Sequence, residues 1–512
     1  NWNILADGDI VGYIYQQLQH RSSKKKKGQY FTPGDIVNYL VKKTLNSQTN
    51  IGKLKIMDPA CGSGQFLIEA FRALSELYEQ NNINPKDAAQ QIIKTNIFGA
   101  DLDQNAVSIA KFNMSRISGC KPDDVNIYNL DFLHKDECNL FSHINKNETF
   151  DLIIGNPPWC SKFTKKEKTY FDDNYESVKS GINTFSLFIE RSYDFISKNG
   201  TIAFLIPEAY LNIKAHRDSR VFVLNKSVIK DIAMWGERFN GVYAPSISII
   251  IKDESNNNIR SKNIVKIIQD TKHNLNRAIL IPQAYYHKTF ENIFNTHYSR
   301  KAVDLISTIE NHDCQYLKDR SRFFLGIVTG NNTKFILNKK SKSYPDPIIV
   351  GKDISQYKID FSNHYFKYNQ QVLQQVAPKN LYKSGRKIIY KFIGKKLTFA
   401  LDNSGYYTLN NVNCFLPEFN NINIETTLAL LNSKVMQYYY EKSFFTVKVL
   451  KGNLERLPLK VINKANQKKL KKLAQMIINT PKLQIDNCRE NIEDIIFHEY
   501  GINDRDAYKI ND

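Results

Sequence analysis

At 512 residues and 59.3 kDa the chain exceeds what one hydrophobic core ordinarily organises, so two or three domains are expected. With 42% hydrophobic and 24% charged residues its composition is globular, which excludes a disordered or collagenous chain. No apolar run approaches the roughly 20 residues that span a bilayer, and no signal-peptide pattern opens the chain, so membrane and secreted classes are not expected. The formal net charge of +20 points to a polyanionic partner, most simply nucleic acid. That charge is uneven: residues 1–250 carry 30 basic and 27 acidic side chains, residues 251–512 carry 41 and 24. The seven cysteines are odd in number and lack a C-x-x-C pair, which argues against a disulfide framework or thiolate metal site and for a reducing, cytoplasmic setting.

In chain order, the first 150 residues alternate short apolar strands with amphipathic helices. A strand at 54–57 leads into a helix at 65–78, where Phe66, Leu67, Ala70, Phe71, Leu74, Leu77 and Tyr78 recur at helical spacing. Strands at 96–100, 125–128 and 150–154 follow, with a helix at 104–117 between the first two. This rhythm predicts a mostly parallel sheet covered on both faces. A helix at 184–196 closed by Asn199-Gly200 precedes a strand at 201–206, and β-branched strands are expected at 228–234 and 246–251. Residues 254–262 read as a polar surface loop. From about residue 300, short β-like runs, Gly-Asn turns and basic clusters replace the alternation, and 463–500 is helical and Lys-rich at its start.

Four strand ends carry chemistry. After the first comes Asp58-Pro59-Ala60-Cys61-Gly62-Ser63-Gly64-Gln65-Phe66, a Gly-rich turn that leaves backbone N–H groups and a close chain approach available to a ligand. Its Asp-Pro-x-x-Gly-x-Gly spacing resembles the cofactor loop of S-adenosylmethionine-dependent methyltransferases, which implicates Asp58, Ala60, Gly62 and Gly64. At the second, Asp101 of Gly99-Ala100-Asp101-Leu102-Asp103 can accept from both hydroxyls of a ribose, and Asp103 caps the next helix. The long interval between these two motifs is assigned to an extra helix around 86–94. At the third, Asp131 can accept from an exocyclic adenine amine, with Phe132 against the ring.

Asn156-Pro157-Pro158-Trp159 follows the fourth strand, its two prolines fixing a rigid turn. An exocyclic amine is a poor nucleophile because its lone pair is delocalised into the ring. If the Asn156 carboxamide oxygen and the Pro157 carbonyl both accept its hydrogens, the nitrogen becomes more sp³-like and more nucleophilic. Trp159 then offers a stacking face to a base taken out of its helix. No metal site is expected, and Cys61 and Cys160, without a Pro-Cys dipeptide, read as packing residues.

Taken in order, these motifs resemble the gamma group of DNA amino-methyltransferases, especially the TaqI-like and Eco57I-like adenine-N6 enzymes. The resemblance begins at Gly28-Gln29-Tyr30-Phe31-Thr32-Pro33, which in that family covers the methionine end of the cofactor and so implicates Tyr30 and Thr32. Trp159 stands where the family more often has Tyr or Phe. Phe239, in Gly236-Glu237-Arg238-Phe239, falls where the family places an aromatic on the other face of the flipped base. Gly326-Ile327-Val328-Thr329-Gly330 and Ile348-Ile349-Val350-Gly351-Lys352-Asp353 are similar to parts of the family's target-recognition domain, where 301–400 alone carries 18 basic and 7 acidic residues.

The resemblance implies an α/β fold: a Rossmann-like S-adenosyl-L-methionine-dependent methyltransferase domain and a C-terminal mixed α+β target-recognition domain. The expected division is a helical segment at 1–28, the methyltransferase at 29–290, the recognition domain at 291–460 and a helical segment at 461–512. The implied activity is methyl transfer to adenine N6 in double-stranded DNA by a chain acting as a monomer, in restriction-modification, other phage defence or epigenetic regulation. Cytosine-N4 methylation is the nearest alternative, although those enzymes more often begin the motif with Ser. A bifunctional restriction enzyme would need an upstream domain or partner, since no Pro-Asp followed by Glu-x-Lys is found. A catalytically silent specificity module would be expected to have lost the Gly turn or Asn156.

Overall fold

The computed structural model describes residues 32–45, 51–135, 149–159, 162–239, 245–269, 278–296, 300–394, 396–444, 448–480, 485–503 and 510. The chain divides into two compact units between Arg300 and Lys301.

The first unit is built on a nine-stranded sheet: β1 (Ile56–Asp58), β2 (Ile97–Asp101), β3 (Asn126–Asn129), β4 (Phe150–Gly155), β5 (Ile196–Pro207), β6 (Ser227–Glu237), β7 (Pro245–Asp253), β8 (Ile264–Ile268) and β9 (Ala278–Pro282). Their spatial order is β3-β2-β1-β4-β5-β7-β6-β8-β9. The first five are parallel, and β7 runs antiparallel between β5 and β6. Every residue of β1 and β2 is buried, as expected of parallel strands covered on both faces. Strand order reverses between β1 and β4, the switch point at whose carboxyl ends such sheets hold ligands.

Helices α1 (Gly34–Leu45), α2 (Gln65–Gln80), α3 (Pro85–Gln91), α4 (Gln104–Ser118), α5 (Lys165–Asn174), α6 (Thr184–Ser192), α7 (Arg217–Lys226) and α8 (Asn257–Lys262) belong to this unit, with a single turn at Gln283–Tyr286. The extra helix is α3, which continues as a π turn, Ile92–Asn96, into β2. Two expectations are corrected. The helix expected to reach residue 196 ends at Ser192, because Ile196 pairs with Phe150 in the sheet. Asn199-Gly200 therefore caps no helix. Asn199 takes a positive φ of 63° inside β5, where the pairing jumps from Phe150↔Ile196 to Leu152↔Thr201. The loop expected at 254–262 contains α8, which buries no residue and is capped by the Asn256 side chain accepting from Asn258 N.

The second unit is mixed α+β. Ser321–Phe324, Val412–Pro417, Lys387–Lys391 and Phe399–Asp402 form an antiparallel sheet in that order; Tyr365–Phe366, Asp346–Ile349 and Tyr407–Thr408 form a smaller mixed one. A core of Ile348, Phe366, Tyr382, Ile389, Tyr407 and Cys414 joins them. The Lys387 ammonium is fully buried on Asp402, whose carboxylate also accepts from the backbone N–H groups of Ser404, Gly405 and Tyr406. Helices α9 (Arg300–Glu310), α10 (Ile424–Asn432), α11 (Lys434–Ser443), α12 (Lys464–Asn479) and α13 (Asp486–Glu499) belong to this unit.

Candidate active site

Four strand ends converge at the switch point of the first unit. At β1, Asp58 is 1% exposed and its Oδ1 accepts from Ala60 N at 3.0 Å. Burial drives its carboxyl well above the usual carboxylate range; the Asp101 charge adds to the rise and the Ala60 N–H opposes it. The following turn needs its glycines. Gly62 and Gly64 have φ of +53° and +92°, and a Cβ on Gly64 would lie 3.3 Å from that of Ala110 on α4. A Cβ on Gly62 would meet nothing within 4 Å, so open space adjoins this turn.

Asp101, at the end of β2, organises the turn. Its Oδ2 accepts from Gly62 N at 2.9 Å and its Oδ1 from Asp103 N at 2.8 Å, while its carbonyl receives Leu130 N and Asn129 Nδ2 from the end of β3. A carboxylate oxygen has acceptor capacity for more than one donor, so a ligand hydroxyl is chemically suited to this position. Asp103 caps α4 by accepting from Asn105 N. Leu102, between the two acids, is 71% exposed.

Past β3, Asp131 is partly exposed. Its Oδ1 accepts from Leu133 N at 2.9 Å and its Oδ2 lies 3.9 Å from His134 Nε2. Phe132 is buried and packs on Phe188 and Phe195, each ring centroid 5.4 Å away.

Asn156 at the end of β4 is held from both sides. Its Nδ2 donates to Thr32 Oγ1 at 3.1 Å, and its Oδ1 accepts from Trp159 Nε1 at 2.9 Å. The indole N–H is shared with the Leu205 carbonyl at 3.3 Å. This pairing fixes which end of the carboxamide is oxygen, and among the described residues Trp159 takes up one of that oxygen's two lone pairs. Gly155 brings Asn156 close to the acids: a Cβ there would sit 2.5 Å from Asp58 Oδ1. Pro157 and Pro158 continue the turn without regular secondary structure. Tyr30 and Cys160 lie outside the described residues.

Trp159 and Phe239 are brought together, but not as opposite walls of a slot. They meet edge to face with centroids 4.9 Å apart and planes at 86°, and both are buried. In this arrangement the two rings contact each other rather than facing across an open slot. Contact between the two rings removes more apolar surface from water than an open slot would. Behind them, Trp235 packs against Tyr39 of α1, and Arg238 pairs with Asp35. Cys61 is buried, and burial raises its thiol well above the ordinary range, consistent with packing rather than nucleophilic use. Among the described residues no group of three or more His, Cys, Asp or Glu side chains could hold a metal ion, and no helix is long and apolar enough to cross a membrane.

A doubly wound sheet with acids at three successive strand ends and a rigid Asn-Pro-Pro-Trp turn at the fourth defines a Rossmann-like α/β domain with its candidate site at the switch point. Residues 6–313 match the N-6 DNA Methylase family model and residues 346–459 the TaqI-like C-terminal specificity domain. The chain belongs to the N-6 DNA Methylase family, adenine-N6 DNA methyltransferases with relatives in restriction-modification.

The Type II methyltransferase M.VspI of Vibrio sp. (strain 343) is 26% identical over 362 residues, covering 69% of this chain and 78% of that protein. The Type II restriction enzyme and methyltransferase RM.Eco57I of Escherichia coli is 23% identical over 435 residues, covering 71% of this chain; the chain spans 43% of that enzyme's length. The fold is shared with the Type IIL restriction-modification enzyme MmeI, solved in complex with DNA: TM-score 0.58 at 12% identity, over 96% of this chain and 78% of that one.

Proposed function

We propose that this chain transfers a methyl group from S-adenosyl-L-methionine to the N6 amine of an adenine flipped out of duplex DNA, in restriction-modification, other phage defence or epigenetic regulation. The observation that carries this reading is the Asn156 carboxamide, oriented by Thr32 and Trp159 so that, among the described residues, one oxygen lone pair is unused, at the end of the strand beside Asp58.

The cofactor fits the donor set. Space adjoins Gly62, Asp101 can accept from ribose hydroxyls, Asp131 from the adenine amine, and the buried Asp58 carboxyl gains from a neighbouring cationic group. Thr32, Ala60, Gly64 and Phe132 complete the proposed binding set, with Tyr30. When bound, this cofactor supplies an electrophilic methyl group on a sulfonium centre. Asn156 Oδ1 and the Pro157 carbonyl accept the hydrogens of the target amine and orient its lone pair, and Trp159 and Phe239 are the rings assigned to stack on the base. Rate enhancement then comes from positioning and fixed dipoles, with no covalent enzyme intermediate.

The methyltransferase domain is assigned to 29–290 and the recognition domain to 291–460, flanked by segments 1–28 and 461–512, in a cytoplasmic protein acting as a monomer on DNA. Single-molecule sequencing of DNA from cells expressing the protein tests the reading: N6-methyladenine in one sequence context is expected, and N4-methylcytosine or no modified base would overturn it. Asn156→Ala should lower kcat by about 10²–10³ or more while cofactor and DNA binding persist.

A further inference from the structure

We propose that the exposed lysine face of α12 grips the phosphodiester backbone of duplex DNA, a sequence-independent anchor outside the residues matched by the specificity-domain model. The inference rests on the reading of the chain as a DNA methyltransferase.

Helix α12 contains five lysines and no acidic residue. At about 100° per residue, Lys464, Lys468, Lys471 and Lys472 share one arc about 100° wide, and all four are exposed. The opposite side buries Leu470, Ala474 and Ile477, where α12 packs against α10 and α13. Among the described residues, none of the four lysines has an ion pair.

This arrangement works against the free helix. Like charges face each other at i,i+4 in Lys464/Lys468 and Lys468/Lys472, and Lys464 stands at the positive end of the helix dipole. A polyanion relieves both penalties. The rise from Lys464 to Lys468 to Lys472 is about 6 Å per step, which spreads the ammonium groups along one side of the helix.

The helix is also fixed to the specificity domain. Gln467 Nε2 donates to the Asn421 carbonyl at 2.7 Å, and Gln475 Nε2 donates to Glu425 Oε1 at 3.1 Å. Phosphates held by α12 are thereby held in a set relation to the domain that reads the sequence, which is how backbone contacts set register.

The test uses the full chain with Lys464→Gln, Lys468→Gln, Lys471→Gln and Lys472→Gln combined, and a linear duplex of unrelated sequence as probe. The slope of log affinity against log salt is expected to become shallower by about 0.9 for each phosphate that the variant no longer neutralises. The corresponding four Lys→Arg changes should keep the wild-type slope, and the melting temperature of the Gln variant should not fall, since like-charge repulsion is removed. An unchanged slope in a folded Gln variant overturns the inference and leaves the proposed activity intact. Loss of single-stranded RNA binding with the duplex slope unchanged would also overturn it. Failure of the wild-type chain to bind duplex at all would remove the activity and this inference together.

Discussion

Asn156 owes its orientation to one remote neighbour and one local one, Thr32 ahead of α1 and Trp159 three residues on. Removing the indole N–H while keeping a ring isolates that contribution. Trp159→Phe should cost about 1 kcal/mol, roughly fivefold in kcat/KM, with cofactor affinity unchanged in a calorimetric titration. Asp58 gives a second residue-scale expectation. Its carboxyl is raised, so in the free protein its favourable contribution is present at low pH and lost as pH rises through the folded value. A cationic ligand favours the ionised form, so cofactor affinity should strengthen with rising pH across that same window. Asp58→Asn should flatten this dependence and raise the melting temperature of the free protein at alkaline pH; a parallel pH profile in the variant would count against the assignment. Asp58, Asp101 and Asn156 were legible because each stands at the end of an apolar run. Leu102 was not, because its exposure depends on how β2 turns into α4.

The strands and helices that build the site follow from hydrophobic period, and their junctions follow from contact. Gly155 shows why: it ends β4, and its missing side chain lets that strand approach Asp58. Gly155→Ala should destabilise the first unit by about 1–3 kcal/mol, read as a lower urea midpoint, and should weaken cofactor binding at the same time. Nothing in the local pattern Ile-Ile-Gly-Asn announces that requirement. The helix expected to run to residue 196 failed for a related reason. Apolar residues at 195 and 196 suit either period, and pairing with Phe150 decides for the strand, turning Asn199-Gly200 from an expected cap into a bulge. Trp159 and Phe239 teach the same lesson, since their sequence positions do not reveal that the rings touch.

At the scale of the molecule, excess charge and cofactor chemistry occupy different stretches of chain. The acidic strand ends belong to the first unit, whereas residues 301–400, with 18 basic and 7 acidic side chains, belong to the second. Each unit has its own buried cluster. The second spends one lysine inside that core: Lys387 is sealed on Asp402, so net charge alone overstates the positive surface. By itself the sequence determined the α/β class, the order of the motifs, the family resemblance and the division of charge, because these depend on residue types and on periods of two and 3.6 along the chain. Only the tertiary structure decided that Thr32 and Trp159 clamp Asn156, that Phe239 closes on Trp159, and which lysines are buried or exposed. Those facts depend on side-chain geometry and on packing between residues mostly far apart in sequence, which leave no signature in residue type or period.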